Sequence, residues 1–538
     1  MSFHDFLDQV GGLGRFQILQ MVFILISTVV AYSHIVLENF TAAIPEHRCW
    51  VHILDNDTVS DNGTGTLSQD ALLKLSIPLD SNLRPEKCRH FIHPQWQLLH
   101  LNVAIPDISE PDTEPCVDGW VYDQSSFPST IVTEWDLVCE SQSLNSVTKF
   151  LFMAGMVVGG ILYGHLSDRF GRRLMLRWGY LQFTIADTCA TVALTFLIYC
   201  SLRFLAGIAA RTILENSVIL IIEWTTRRFQ AMGVTLATRL AFVIPNWLTL
   251  QLVISVPLFV FFLLSRWLSE YAQWLITNNK AEESLKELSK VAYRNRIKNP
   301  EDILTMEVSR IGGEHRMKQR KKLNMDDLFC TPTLCKRICY LSFVRFAIVL
   351  PFYGLNLHLQ HLGSNVFLLE GLSGAVMLPA NCVSLWALNR VGRRISKIVL
   401  MVLLGVCILV IIFVPQEMQT LRVILSTFGV GVSSSAVMGT LTHGNELIPT
   451  VIRYMEIESL ELWVGVALSS VVIILVVYST PLPWIIYGVL PMLAGLVVLL
   501  LPETRNRPLP DTIQDVQKEA KCSQKTKQEE TLVKVTQF

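Results

Sequence analysis

Charge is scarce in this chain, and what there is cancels. Of 538 residues, 17% are Asp, Glu, Lys or Arg and 51% are hydrophobic, whereas soluble domains carry roughly 25% charged residues. Water is therefore not its main solvent. Lys plus Arg and Asp plus Glu both number 45, so no net field exists to attract nucleic acid or an acidic polymer. Catalytic signatures are missing as well: no His-Glu-x-x-His, no phosphate-cradling Gly-rich loop or Walker sequence, no nucleophile elbow. An enzyme is not expected, nor a cofactor, nor ATP as the driver. Repeated pore-loop or charge-ring signals are absent, which disfavours a channel. No Cys-x-x-Cys pair occurs, so no metal site is expected, and eight of the cysteines read as small apolar packing residues.

What the chain has is long apolar runs. A bilayer core of about 30 Å takes roughly 20 apolar residues as a helix. Twelve candidate runs recur, from one near 16–36 to one near 484–501, so the expected fold is all-α and polytopic. Basic residues cluster in alternate connections: Arg169, Arg172, Arg173 and Arg177; then Arg227 and Arg228; then a long series within 266–337; then Arg390, Arg393, Arg394 and Lys397. The positive-inside rule makes those connections cytoplasmic. Both termini then lie in the cytoplasm, and the loop 37–144 lies outside. That loop holds Cys49, Cys88, Cys116 and Cys139, an even set in an oxidising compartment; two disulfides are expected, with three connectivities open. It also holds three glycosylation sequons, at Asn39, Asn56 and Asn62.

The expected divisions are a cytoplasmic N-terminus (1–15), a first six-helix bundle (16–265) that includes the outer loop, a cytoplasmic linker (266–337), a second bundle (338–501) and a cytoplasmic tail (502–538). In the linker, Leu285, Leu288 and Val291 share one face of an amphipathic helix expected to lie under the bundle. The tail, rich in Lys, Glu, Gln and Thr, reads as disordered chain open to cytoplasmic partners.

A duplication is visible. Gly164-His165-Leu166-Ser167-Asp168-Arg169-Phe170-Gly171-Arg172-Arg173 is echoed by Asn389-Arg390-Val391-Gly392-Arg393-Arg394, with Gly392 following Gly171 by 221 positions. Glu223 with Arg227 is echoed by Glu446 with Arg453, the glutamates being 223 positions apart. Two motifs with nearly one offset imply six spans repeated. The glycines allow tight cytoplasmic turns, and the arginines and carboxylates at helix ends suit a latch that pairs across the bundles when the inner side closes.

These residues resemble the major facilitator superfamily and, within it, the organic cation, organic anion and carnitine transporter family of solute carriers. Narrower matches are Cys116-Val117-Asp118-Gly119-Trp120, Trp135-Asp136-Leu137-Val138-Cys139, and Pro502-Glu503-Thr504 followed by Pro508-Leu509-Pro510-Asp511-Thr512. The pattern is most similar to the organic anion branch, over nearly the whole chain. The resemblance implies two six-helix bundles around a midplane cavity in the plasma membrane. It also implies alternating access, with uniport or exchange of amphipathic organic anions such as steroid or drug conjugates. The alternatives are a divergent relative with little transport and a carrier of neutral or zwitterionic solutes.

Departures from the family pattern touch the site. Anion carriers often place one basic residue where Asn381 stands and another near Trp463. Arg211, Arg239 and Arg345 interrupt apolar runs and are candidate replacements; Glu215, four residues after Arg211, suits a structural pair. Arg345, with help from Asn381, is the expected anion contact, and Tyr353, Phe352 and Trp386 are candidate stacking partners. The fifth run, 231–245, is short for a bilayer, and the sequences Ser269–Trp274 and Tyr454–Glu458 depart from the family at close-packed inner positions.

Overall fold

The computed structural model describes residues 14–55, 69–79, 85–95, 112–124, 129–224, 247–268, 275, 280–295, 332–358, 366–415, 418–447, 460–475, 479 and 481–504. The long helices in chain order are α1 (Arg15–Thr41), α2 (Gln142–Phe170), α3 (Arg172–Thr191), α4 (Phe196–Trp224), α5 (Trp247–Leu264), α6 (Ala281–Arg294), α7 (Pro332–His358), α8 (Val366–Arg390), α9 (Arg393–Phe413), α10 (Gln419–Leu447), α11 (Leu460–Ile474) and α12 (Leu482–Val498). Helix α6 is the amphipathic linker helix; the other eleven match expected spans. The fifth expected span, 231–245, lies outside the described residues. Among the described residues, seven helices are long and apolar enough to cross a membrane by length and composition, and α5, α11 and α12 supply shorter apolar stretches. In hydrocarbon each backbone N–H and C=O must be paired within the segment, which is why apolar runs of this length become helices.

Two compact units are present. One is the helical body, Met1–Leu37, Ser146–Phe242 and Gln251–Phe538; the other is Glu38–Asn145 with Val243–Leu250. The division therefore falls between the helical body and the outer loop, and not between the two halves.

Within the body, the duplication appears in three dimensions. Gly171 between α2 and α3 has φ 95° and Gly392 between α8 and α9 has φ 124°, a left-handed backbone that a Cβ would strain. Helix α3 packs on α4, as α9 packs on α10. The first half centres on Phe152, Met156, Tyr180, Phe183 and Ile213, and the second on Leu404, Ile408, Ile411, Val430 and Tyr487. Val349 of α7 with Val466 and Ala467 of α11 joins the first cluster from the second half. Helices α2 and α4 touch backbone to backbone, because a Cβ on Gly155 would overlap Phe204 O and one on Gly207 would overlap Phe152 O, the small-residue contact of membrane helix pairs.

Helix α6 buries Leu288, Val291 and Ala292. Just beyond it, Asn295 Oδ1 accepts the Phe16 N–H at 3.3 Å, and Arg294 lies 5.1 Å from the Phe16 ring centre. The start of α1 is thus capped from the linker. Glu503 and Thr504, at the start of the expected tail, are bonded to helices of the body; the residues beyond Thr504 lie outside the described ones.

The second unit contains two ribbons. Strand β1 (His47–Cys49) pairs antiparallel with β4 (Trp120–Tyr122), and β2 (Arg89–Phe91) with β3 (Thr113–Pro115). Cys49 is joined to Cys116, tying one ribbon to the other, and Cys88 to Cys139. Burial holds the His47 imidazole below its ordinary range. Burial pushes the Asp55 carboxyl up, but bonds from the Arg48 guanidinium and the Val51 N–H outweigh it and leave the group below its usual value. Asn39 is corrected as an acceptor: it lies in the last turn of α1 and is 3% exposed, closed to a glycan. Asn56 and Asn62 lie outside the described residues.

Candidate functional site

The expected substrate contacts are not gathered at one point. Arg345 of α7 is 3% exposed, and its Nη2 stands 2.5 Å from where a Cβ on Gly444 of α10 would be. Glycine at 444 makes the notch that the guanidinium fills. Asn381 of α8 meets the same helix elsewhere, its Oδ1 accepting the Ser434 hydroxyl at 3.2 Å. Ser434 and Gly444 are ten residues apart, about 15 Å at 1.5 Å per residue, so the two contacts stand at different heights on α10. Tyr353 lies against the first-half apolar cluster and meets Phe352 edge-on at 5.1 Å. Trp386 is 63% exposed, on the α8 stripe with Leu372 and Val383. Trp463 lies on α11, with its side chain outside the described residues.

Burial also marks ionisable groups that sequence reasoning missed. Asp187 of α3 accepts from Arg203 of α4 at 2.7 Å and from the Gln251 amide of α5 at 3.0 Å, while the Ser255 hydroxyl donates to its second oxygen. His34 of α1 places Nδ1 3.3 Å from that second oxygen, and Arg203 lies 4.6 Å from the Phe152 ring centre. One carboxylate thereby ties four helices. Arg211 and Glu215 form the expected pair one turn apart on α4, packed against Gly160.

In the second half, Lys397 is fully buried and its ammonium is 3.2 Å from His443 Nδ1. His443 Nε2 is 3.1 Å from Pro502 O; since a carbonyl can only accept, Nε2 carries the proton and Nδ1 accepts from Lys397. The signal available in the sequence was position alone, because Asp187, Arg203 and Lys397 all fall inside or at the edge of apolar runs.

The expected latch residues form ties within each half. Arg393 pairs with Glu446 at 3.1 Å. The Glu503 carboxylate accepts the backbone N–H groups of Arg393 and Arg394, each at 2.9 Å, and Thr504 donates to Glu446 at 2.5 Å. Arg394 donates to Leu499 O, and its echo Arg173 donates to Arg266 O at 2.5 Å. These contacts join helix ends within one half, because α9 and α3 each begin beside the end of the last helix of their own half. Arg172 opens α3, and Arg169 lies 5.6 Å from the Phe170 ring. Asp168 and Glu223 end α2 and α4 with side chains outside the described residues, and Arg227 and Arg453 lie outside them entirely.

Buried cations, paired helix ends and a seam between two related halves suit binding and movement of a solute. Comparison with known proteins agrees. The family model described as Major Facilitator Superfamily matches residues 140–451. The chain is 63% identical to solute carrier family 22 member 25 of Homo sapiens, covering 96% of this chain and 97% of that protein. It is 55% identical to a steroid transmembrane transporter of Equus caballus, covering 100% of both. Among solved structures, the inward-open xylose transporter XylE from E. coli matches with TM-score 0.52 and 17% identity over 70% of this chain and 90% of that one, a likeness of fold.

Proposed function

We propose, from the premise that the chain belongs to the major facilitator superfamily and within it to solute carrier family 22, that this membrane transporter carries amphipathic organic anions, steroid conjugates foremost. It does so across the plasma membrane, with both termini cytoplasmic. The observation that carries the substrate class is full-length identity of 55% to a protein named a steroid transmembrane transporter. Charge selectivity is supported by the cations buried in the second half, Arg345 and Lys397. An anion leaving water for a low-dielectric path needs such a counter-charge, since an unpaired ion there costs several kcal/mol.

Alternating access follows from two related bundles rocking about a bound solute. Asp168, Arg169, Arg172, Arg173, Glu223 and Arg227, with their echoes Arg393, Arg394, Glu446 and Arg453, keep the inner ends of each half together as the gap opens. Tyr353, Asn381, Trp386 and Trp463 line stages of the path. Uptake of a radiolabelled steroid sulfate into cells tests the reading. Arg345→Ala is expected to lower uptake at least tenfold at equal surface amount, while Arg345→Lys keeps a substantial part; unchanged uptake in Arg345→Ala removes Arg345 from the path.

A second reading, a divergent relative with little transport, is favoured by length. The alignment to the equine relative spans 552 positions against 538 residues here, so this chain lacks residues that the relative has. Restoring about ten residues after Arg239, to lengthen the short fifth span toward the roughly 20 a bilayer needs, discriminates. Uptake gained only by the lengthened version supports the second reading, and uptake by the original chain excludes it.

A further inference from the structure

The two disulfides lie side by side in different surroundings. The sulfurs of Cys116 and Cys139 are each 3.9 Å from one carbonyl oxygen, that of Lys87. Cys49 is fully buried and held in the β1–β4 pairing opposite Trp120, so its bridge to Cys116 is covered and fixed at one sulfur. Cys88 and Cys139 are both half-buried. Cys139 opens the short turn Cys139–Ser141 that leads into α2, and it takes φ 52°, a left-handed backbone that a side chain rarely adopts.

His47 completes the setting of the second bridge. Its Nδ1 is 3.0 Å from Pro45 O; a carbonyl only accepts, so Nδ1 carries the proton and Nε2 presents a lone pair. That nitrogen stands 4.0 Å from Cys139 Sγ, and an imidazole nitrogen and the sulfurs of Cys88 and Cys139 all lie within 4.8 Å of one another. Joined as a disulfide, the two sulfurs are not thiolate ligands, so the triad suits sulfur exchange before metal binding. Lys87 pairs with Glu46 at 2.9 Å, which balances that charge and leaves His47 as the group that can move a proton.

We infer that Cys88–Cys139 is a thiol-exchange site, opened by small extracellular thiols of the glutathione class in preference to Cys49–Cys116, with His47 as the proton carrier. The attacking species is a thiolate. The incoming thiol gives its proton to Nε2, its sulfur bonds to Cys88 Sγ, and the Cys88–Cys139 bond breaks; the proton then passes to the Cys139 sulfur. One thiol and one disulfide become one mixed disulfide and one thiol, with no oxidant consumed. The broken bond had tied the chain just before β2 to the chain just before α2. Only the encounter with extracellular thiols rests on the orientation proposed above.

The test exposes the purified full chain in detergent to reduced glutathione at pH 7, blocks new thiols with iodoacetamide at successive short times, and maps the peptides by mass spectrometry. Cys139 is expected to be alkylated and Cys88 to carry glutathione while Cys49–Cys116 stays closed, the second bridge opening at least about tenfold faster. His47→Gln slows that opening about tenfold at pH 7, and the difference closes by about pH 9.5, where the attacking thiol ionises unaided.

Equal opening of both bridges in wild type, or earlier opening of Cys49–Cys116, overturns the site, and that comparison stands even where the variant fails to fold. Glutathione on Cys139 in place of Cys88 overturns the proposed step, as does an unchanged rate in His47→Gln. The readout needs no transport. Glutathione added to intact cells stays outside, so a bridge that opens in detergent and not on cells keeps its chemistry and withdraws the orientation alone.

Discussion

Asp187 shows how much one side chain can organise. Its carboxylate faces Arg203, Gln251, Ser255 and His34, and it is fully buried. Asp187→Asn leaves Arg203 a buried cation without its counter-charge, which costs about 3–5 kcal/mol; a lowered thermal midpoint of the detergent-purified chain and reduced surface delivery are expected. Ser255→Ala, losing one neutral donor, costs about 1 kcal/mol. Ile408 occupies the matching position of the second half, 221 residues on, so this network belongs to one half only. Sequence reading passed over it. Arg345 stood out by interrupting an apolar run, whereas Asp187 and Arg203 sit near the outer ends of theirs and resemble interfacial charges until the helices are assembled.

Helix ends and ribbons carry the next set of consequences. The first turn of α9 leaves N–H groups without helical partners, and Glu503 satisfies two of them with a charge that also suits the positive end of the helix. Glu503→Gln keeps the shape and loses the charge, so a cost of about 1 kcal/mol is expected in thermal unfolding.

In the ribbons of the second unit, His47 has a folded pKa below its unfolded one. Its contribution to stability is therefore present above the unfolded value of about 6.5 and is lost as pH falls through the folded value. The protection factors of the β1 and β4 amides, that is, their exchange relative to an unstructured chain at the same pH, are expected to fall below about pH 6.5, and His47→Gln to flatten that slope. The duplication, the helices and the outer cysteine set were all legible, because each is written in local periodicity, spacing or count. The disulfide partners were not: they depend on which strands pair across long loops, and His47 to Tyr122 is such a pairing.

As a whole, the molecule is two copies of one helical plan joined through an apolar seam in which Val349, Val466 and Ala467 meet the first half. An apolar seam can part and re-form while each half keeps its own ties, the motion that the proposed alternating access requires. The site was less legible than the plan. Candidate contacts chosen by residue type fell on different faces and depths, and Arg345 and Asn381 met α10 at separate heights. One contact also bears on how the chain is made. Because the amide of Phe16 waits for Asn295, 279 residues later, the ribosome must finish the first half and the helix after it before the opening span acquires its final start.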